Sequence, residues 1–262
     1  MNTALDSPLR TLTVANGTAP PGPRYVCFPP AGGTATMFRS LAAARPTAHM
    51  LAVQYPARAD RLDAQLPDNF EELARQCADA LVATPELERP RTVLIGFSMG
   101  AWLALETALQ LDWRYGCGPC GLVVVGATAP HRRGTRHRLP AEADLDRMLD
   151  DGGWGESVLR EYVRGLLRAD MRLVSRYTGP ARHGTPCRVA ALCGEDDPRH
   201  VEDDATGAWA VWSQSPFASC VVRGGHLGLL TPERAGEFWR WMDRLALPSA
   251  VVEGEVDACV QR

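Results

Sequence analysis

The sequence predicts an α/β fold: a mostly parallel central sheet with helices on both faces, and a helical insertion late in the chain. Three observations predict it. Short apolar runs alternate with helical patterns through the first half of the chain, which is the sign of βα units. Several of those runs are apolar nearly throughout, as strands covered on both faces should be. The alternation then lapses after Val125, and residues 130 to 178 hold helical patterning without a convincing strand. At 262 residues and 45% hydrophobic composition, the chain has material for one large core.

Each element can be justified in order. The expected strands are Tyr25–Phe28, Met50–Gln54, Thr92–Gly96, Leu122–Gly126, Val189–Cys193 and Ser219–Val222. Between the second and third lies "PDNFEELARQCADALVAT". Asp68 with Glu71 fits a capping box there, and Phe70, Leu73, Cys77, Ala80 and Leu81 recur at helical spacing. In the insertion, "ESVLREYVRGLLRADMRLVSRY" is helical, with Val158, Leu159, Tyr162, Val163, Leu166 and Leu167 as its apolar face. The expected organisation is a single domain over 1–262. Its core covers about 24–129 and 180–247, its lid about 130–179, and the tails 1–23 and 248–262 are expected to be poorly ordered.

Composition excludes several function classes. All 28 basic residues are Arg, so a lysine nucleophile, a Schiff base and a P-loop lysine are ruled out. A net charge of -3 gives no signal for nucleic acid or a membrane surface. No apolar stretch approaches a membrane span. The first residues lack the apolar centre and basic start of a secretory signal, so the expected location is cytoplasmic, with the eight cysteines mostly reduced. "CGPC" at Cys117–Cys120 has redox spacing. Its context is inverted, however, with a helix before it and a strand after it, whereas a low-pKa thiolate needs a helix N-terminus. No metal or cofactor is expected.

The chemistry centres on Gly96-Phe97-Ser98-Met99-Gly100, a G-x-S-x-G string between an apolar strand and a helix. In that setting it reads as a nucleophile elbow, which projects a serine hydroxyl at the carboxyl edge of the sheet. A serine hydroxyl needs a base to take its proton, and the base needs an acid to orient it. In this architecture acid and then base follow the serine. His226, in "VVRGGHLGLL", directly follows the last strand and is the expected base. His49 precedes the serine, His131, His137 and His183 lie in or beside the insertion, and His200 is three residues past the acidic cluster. "CGEDDP" offers the acid: Asp197 by its spacing from Gly194, with Asp196 the alternate. The oxyanion hole should combine the backbone N–H of Met99 with one from "CFPPAGGTATMF". Pro29 and Pro30 have no N–H, so Ala31 is the first donor in that loop. The expected reaction is hydrolysis through an acyl-serine intermediate.

Six blocks carry a further likeness: "CFPPAGGTATMFRSL", "VQYPARADRL", "IGFSMGAWLALETA", "LLRADMRLVSRY", "ALCGEDDP" and "RGGHLGLL". Together, over roughly residues 24 to 245, they resemble the type II thioesterases, editing enzymes of polyketide and nonribosomal peptide assembly lines. The resemblance implies an α/β-hydrolase fold with a helical lid. It implies a substrate as well: acyl groups on the phosphopantetheine arm of acyl or peptidyl carrier proteins. It assigns Ser98, Asp197 and His226 to nucleophile, acid and base. Two positions depart from the family pattern, Phe97 in place of a His before the serine and Pro30 before "AGG". With Leu227, these are the expected substrate-lining residues. Arg58, Asp60 and Arg61 lie in the family's arginine-rich stretch.

Alternative readings have distinct signatures. A carboxylesterase or lipase would use the same triad on oxygen esters. A silent carrier-binding module would not need a complete triad. Finally, Arg160, Arg164, Arg168, Arg172 and Arg176 recur every four residues, a slowly winding ridge. It is either a solvated face or a surface for an acidic carrier.

Overall fold

A computed structural model describes residues 7–13, 22–84, 91–132, 139–152, 154, 156–181, 184–197, 206–214 and 216–245. Among them, one sheet holds seven strands: β1 (Leu9–Thr13), β2 (Arg24–Phe28), β3 (His49–Val53), β4 (Thr92–Phe97), β5 (Gly121–Val125), β6 (Arg188–Gly194) and β7 (Ala218–Val222). Their order is β1-β3-β2-β4-β5-β6-β7, and all pairs are parallel except β1 with β3. The six expected strands are present within one residue at each end.

The N-terminal expectation needs correcting. Residues 9 to 13 are not a loose tail but the antiparallel edge strand β1. "LRTLT" is too short and too polar to declare itself. Its pairing with β3 holds it, helped by Thr13 Oγ1 donating to the Ala48 carbonyl. The rest of the expected N-terminal tail and the C-terminal tail lie outside the described residues, apart from Ser7, Pro8 and the run into β2.

The α-helices among the described residues are α1 (Arg39–Ala44), α2 (Phe70–Val82), α3 (Met99–Tyr115), α4 (Glu142–Asp151), α5 (Arg160–Arg176) and α6 (Ala235–Arg244). The period of two in the strands sorts side chains to two cores. On β4, Leu94 joins the core under α2 and α3, while Val93, Ile95 and Phe97 join the core under α1 and α6. The cap of α2 lies one residue beyond expectation: Asn69 Oδ1 accepts from the Glu72 amide at 2.8 Å.

Among its described residues, the insertion carries α4 and α5. Only the second half of the expected α5 face is buried: Val163, Leu166 and Leu167 pack inward with Leu173 and Val174. Val158, Leu159 and Tyr162 lie at the helix entrance and are exposed. Leu145 and Leu149 of α4 meet Val163 and Leu167 in a small separate core, which abuts Ala31.

Candidate active site

Strand order positions the site. From β2 the chain moves outward to β3, then returns past β2 to β4 and continues the other way. Loops leaving β2 and β4 therefore diverge, and the crevice at such a switch point is where open α/β sheets bind ligands. The loop after β2 is "PPAGG". The turn after β4 is Ser98.

Ser98 has φ 53° and ψ −119°, a conformation that non-glycine residues rarely adopt. Strain of this kind costs roughly 1–3 kcal/mol and persists only where the surroundings enforce it. Here the Ser98 amide donates to the Val125 carbonyl, and the Ser98 carbonyl accepts from Ala101. The two motif glycines have separate reasons. A Cβ on Gly96 would lie 2.3 Å from the Gly100 carbonyl oxygen, and one on Gly100 would lie 2.2 Å from the Phe28 oxygen. The first lets the turn fold back on its own strand; the second lets α3 start against β2. Ser98 itself is partly exposed at the bend.

Beyond β6 the acidic cluster divides by burial. Glu195 and Asp196 are exposed, whereas Asp197 is 1% exposed. Asp197 Oδ2 lies 2.5 Å from His226 Nδ1. Of the two candidate acids, Asp197 is the one whose carboxylate meets the imidazole. The amides of Glu195 and Asp196 donate to the Val222 and Gly224 carbonyls, which ties the two loops together. Gly126, which the sequence marks only as the end of a strand, directly follows β5. With φ 60°, it sits where a Cβ would lie 3.0 Å from His226 Nδ1 and 3.3 Å from Asp197 Oδ2.

The loop after β2 is held on every side. Tyr55 donates its hydroxyl to the Pro29 carbonyl at 2.7 Å, and the Ala35 amide donates to Gln54 Oε1 at 3.2 Å. The Gly33 amide donates to the Pro30 carbonyl at 3.0 Å, and the Gly32 amide to Asp170 Oδ2 at 2.7 Å. Of this loop's amides, that of Ala31 has no acceptor among the described residues. Across the crevice, Met99 is the first residue of α3, and first-turn amides have no acceptor within their helix.

Residues 23–245 match the thioesterase domain family. The chain belongs to that family. It is 34% identical over 214 residues to the probable cadicidin biosynthesis thioesterase of Streptomyces griseus, covering 79% of this chain and 58% of that protein. It is 33% identical to thioesterase PikA5 of Streptomyces venezuelae, covering 79% and 75%. Among solved structures it resembles the type II thioesterase BorB from the borrelidin biosynthetic cluster, with TM-score 0.76, 31% identity, and 90% and 96% of the two chains covered.

Other predicted positions in this thioesterase domain fall into place differently. Pro30 is buried in the loop and Leu227 is half-buried beside His226, packed against the α1/α6 core. Phe97, expected to line the substrate, is a core residue instead. Strand alternation turns it away from Leu94, and it packs between Phe38 and Phe238 with no exposure. His49 opens β3, and His131 Nδ1 accepts from Trp212 Nε1 at 3.1 Å. His137, His183 and His200 lie outside the described residues. Cys117 and Cys120 occupy the turn between α3 and β5. Cys120 donates to the Thr92 carbonyl, and burial pushes its thiol up to about 11, the reverse of what redox chemistry needs.

The arginine ridge of α5 is largely spoken for. Arg160 pairs with Asp146 and Asp150, Arg164 with Asp146, Glu142 and Glu161, and Arg168 with Glu142. Most of these acids belong to α4, so the ridge clasps the two insertion helices together. The expected basic surface loses its cations at 160, 164 and 168.

Proposed function

We propose that this chain is a type II thioesterase, releasing acyl groups from the phosphopantetheine arm of carrier proteins in polyketide or nonribosomal peptide synthesis. The observation that carries the reading is the 2.5 Å contact between Asp197 and His226, in the loops after β6 and β7, at the same carboxyl edge of the sheet as the strained Ser98 turn after β4. Membership of the thioesterase domain family and the likeness to biosynthetic thioesterases support the thioester as the bond attacked.

The chemistry follows from the groups. Asp197 accepts from His226 Nδ1–H, which leaves Nε2 as the basic nitrogen. Ser98 Oγ adds to the thioester carbonyl carbon as Nε2 takes its proton. The oxyanion faces the amides of Met99 and Ala31, fixed donors that need no reorganisation as charge develops. Collapse of the tetrahedral intermediate breaks the C–S bond, and His226 returns the proton to the departing thiolate. Water, deprotonated by the same imidazole, then releases the acid and restores Ser98. No helix of the described residues is long and apolar enough to cross a membrane. Cys27, Cys77, Cys120, Cys187 and Cys220 are free thiols, which fits a cytoplasmic location.

The test is a panel of acyl groups loaded on carrier proteins, with release followed by mass spectrometry, beside a nitrophenyl ester. Turnover of acyl-carrier thioesters well above that of the ester is expected. Ser98→Ala should keep the fold and lose at least about a thousandfold in turnover, because triad members act as a unit. Preference for the oxygen ester would instead make the chain a carboxylesterase. An acyl group trapped on any other residue would remove Ser98 from the mechanism.

A further inference from the structure

Resting on that reading, we propose that Arg58 and Asp170 are positioning residues for the oxyanion loop, acting through the Ala31–Gly32 and Gly33–Thr34 peptides that follow Ala31. Asp170 lies on α5, in the insertion, and Arg58 lies in the loop after β3. Both side chains are completely buried. Arg58 Nη2 donates to Asp170 Oδ1 at 2.6 Å and Nη1 to Oδ2 at 2.7 Å, a bidentate fork. The same Oδ2 accepts the Gly32 amide at 2.7 Å, and Arg58 Nη1 also donates to the Gly33 carbonyl at 3.2 Å. One ion pair therefore grips the loop by a donor and by an acceptor.

The consequence for Ala31 follows from peptide planarity. A trans peptide points its C=O and N–H in opposite directions. The Pro30 carbonyl is turned toward the Gly33 amide, so the Ala31 N–H of the same peptide points the opposite way. The next peptide is fixed by Asp170, which removes the Gly32 N–H from competition as a donor. Two successive glycines would otherwise leave this loop many conformations. Gly32 has φ 73°, and a Cβ there would touch Leu167 of α5 at 3.4 Å, so the helix backs the loop as well as holding it.

The loop that presents Arg58 is itself strained. Ala57 and Ala59, on either side, have φ 64° and 50°. Three non-glycine residues among those described have positive φ, and the third is Ser98. Strained backbone clusters where the surroundings hold a functional geometry. Two of the three strained residues therefore serve Arg58. A buried ion pair is weak evidence for stability, since well-packed apolar side chains often do as well. Its retention here is accounted for by what it orders.

The experiment replaces the pair by apolar residues of similar size, Arg58→Met with Asp170→Leu, and adds Asp170→Asn, which keeps an acceptor for Gly32. Three quantities are read in each variant and in the parent: kcat and KM on an acyl thioester; affinity for an acyl-chain boronic acid, whose adduct on Ser98 carries an anionic oxygen; and affinity for an uncleavable thioether analogue of the substrate. The double variant should melt cooperatively near the parent. It should lose about 10²-fold in kcat and a similar factor in boronate affinity, the scale of losing one oxyanion donor. KM and thioether affinity should stay within about threefold, and Asp170→Asn should recover part of the loss. A folded double variant with parental kcat and boronate affinity would overturn the proposal. If the double variant does not fold, the same comparison is made on Asp170→Asn, where parental values for both readouts would overturn it equally. Failure of the underlying reading looks different: the boronate would form no Ser98 adduct in the parent protein.

Discussion

Helix α5 carries charge on two faces, and the two faces use it differently. On the outer face, Arg160, Arg164 and Arg168 reach acids of α4 whose side chains are 42% to 65% exposed. On the inner face, Asp170 meets Arg58 with neither side chain exposed at all. Water competes for the outer pairs, and each is worth little. The inner pair is cut off from water, so its partners are obligatory to each other, and it fixes one geometry against the sheet. The difference assigns the helix two roles, a replaceable clasp outward and a fixed wall of the crevice inward.

The largest expected effect comes from breaking the inner pair on one side only. Asp170→Leu leaves the Arg58 guanidinium buried without its carboxylate, and the Gly32 amide without its acceptor. A loss of about 3–5 kcal/mol in urea unfolding is expected, whereas the paired Arg58→Met/Asp170→Leu variant should lose far less. Equal losses in the single and double variants would mean that the pair stabilises the fold in its own right.

A second inner tie adds a pH dependence. At the end of α5, Tyr177 donates its hydroxyl to Glu106 of α3 at 2.9 Å and stacks on Phe70 with centroids 4.5 Å apart. Burial pushes the Glu106 carboxyl up to about 7, against a partial lowering by the Tyr177 hydroxyl. A raised acid pKa means that the folded state holds a proton the unfolded chain has released. Stability contributed by this group is therefore full below about 4.5 and declines as pH rises through 7. The expected decline is on the order of 3 kcal/mol at 1.36 kcal/mol per pKa unit. Urea unfolding at pH 5 and pH 8 measures it. Glu106→Gln should remove most of the difference, and an unchanged difference would place its source elsewhere.

Legibility in the sequence follows the same division. The five inner strands β2 to β6 announce themselves because burial on both faces demands continuous apolar runs. β1 does not, because an edge strand needs only half an apolar face. Ser98, Asp197 and His226 could be proposed because their chemistry restricts residue type and chain order. Phe97 was misjudged because adjacency to the nucleophile in sequence says nothing of which face of β4 a side chain takes. Counting two residues back to Ile95, on the same face, could have corrected it. Gly126 and the Arg58–Asp170 pair were out of reach for another reason. Each acts by contact with residues far along the chain, and Asp170 is 112 positions from Arg58. One signal was available: an aspartate set in the apolar periodicity of α5, between Leu166 and Leu173, where a charge has no place without a partner.

The smallest expected effects belong to the outer clasp. Arg164 shares Glu142 with Arg168 and Asp146 with Arg160, so removing one arginine leaves the shared acids another partner. Exposed pairs of this kind contribute roughly 0.2–1 kcal/mol each. Arg164→Gln or Arg168→Gln should therefore shift unfolding by less than about 1 kcal/mol, and less still as salt screens the pairs. Activity provides the sharper reading. If the arginines serve α4 alone, Arg164→Glu with Arg168→Glu should change kcat/KM by the same factor on an acyl-carrier thioester and on a small acyl thioester without the carrier. A ridge that also met an acidic carrier would raise KM on the first substrate only, and more at low salt. The geometry favours the equal response, because the guanidinium groups that would face a carrier already face the carboxylates of α4.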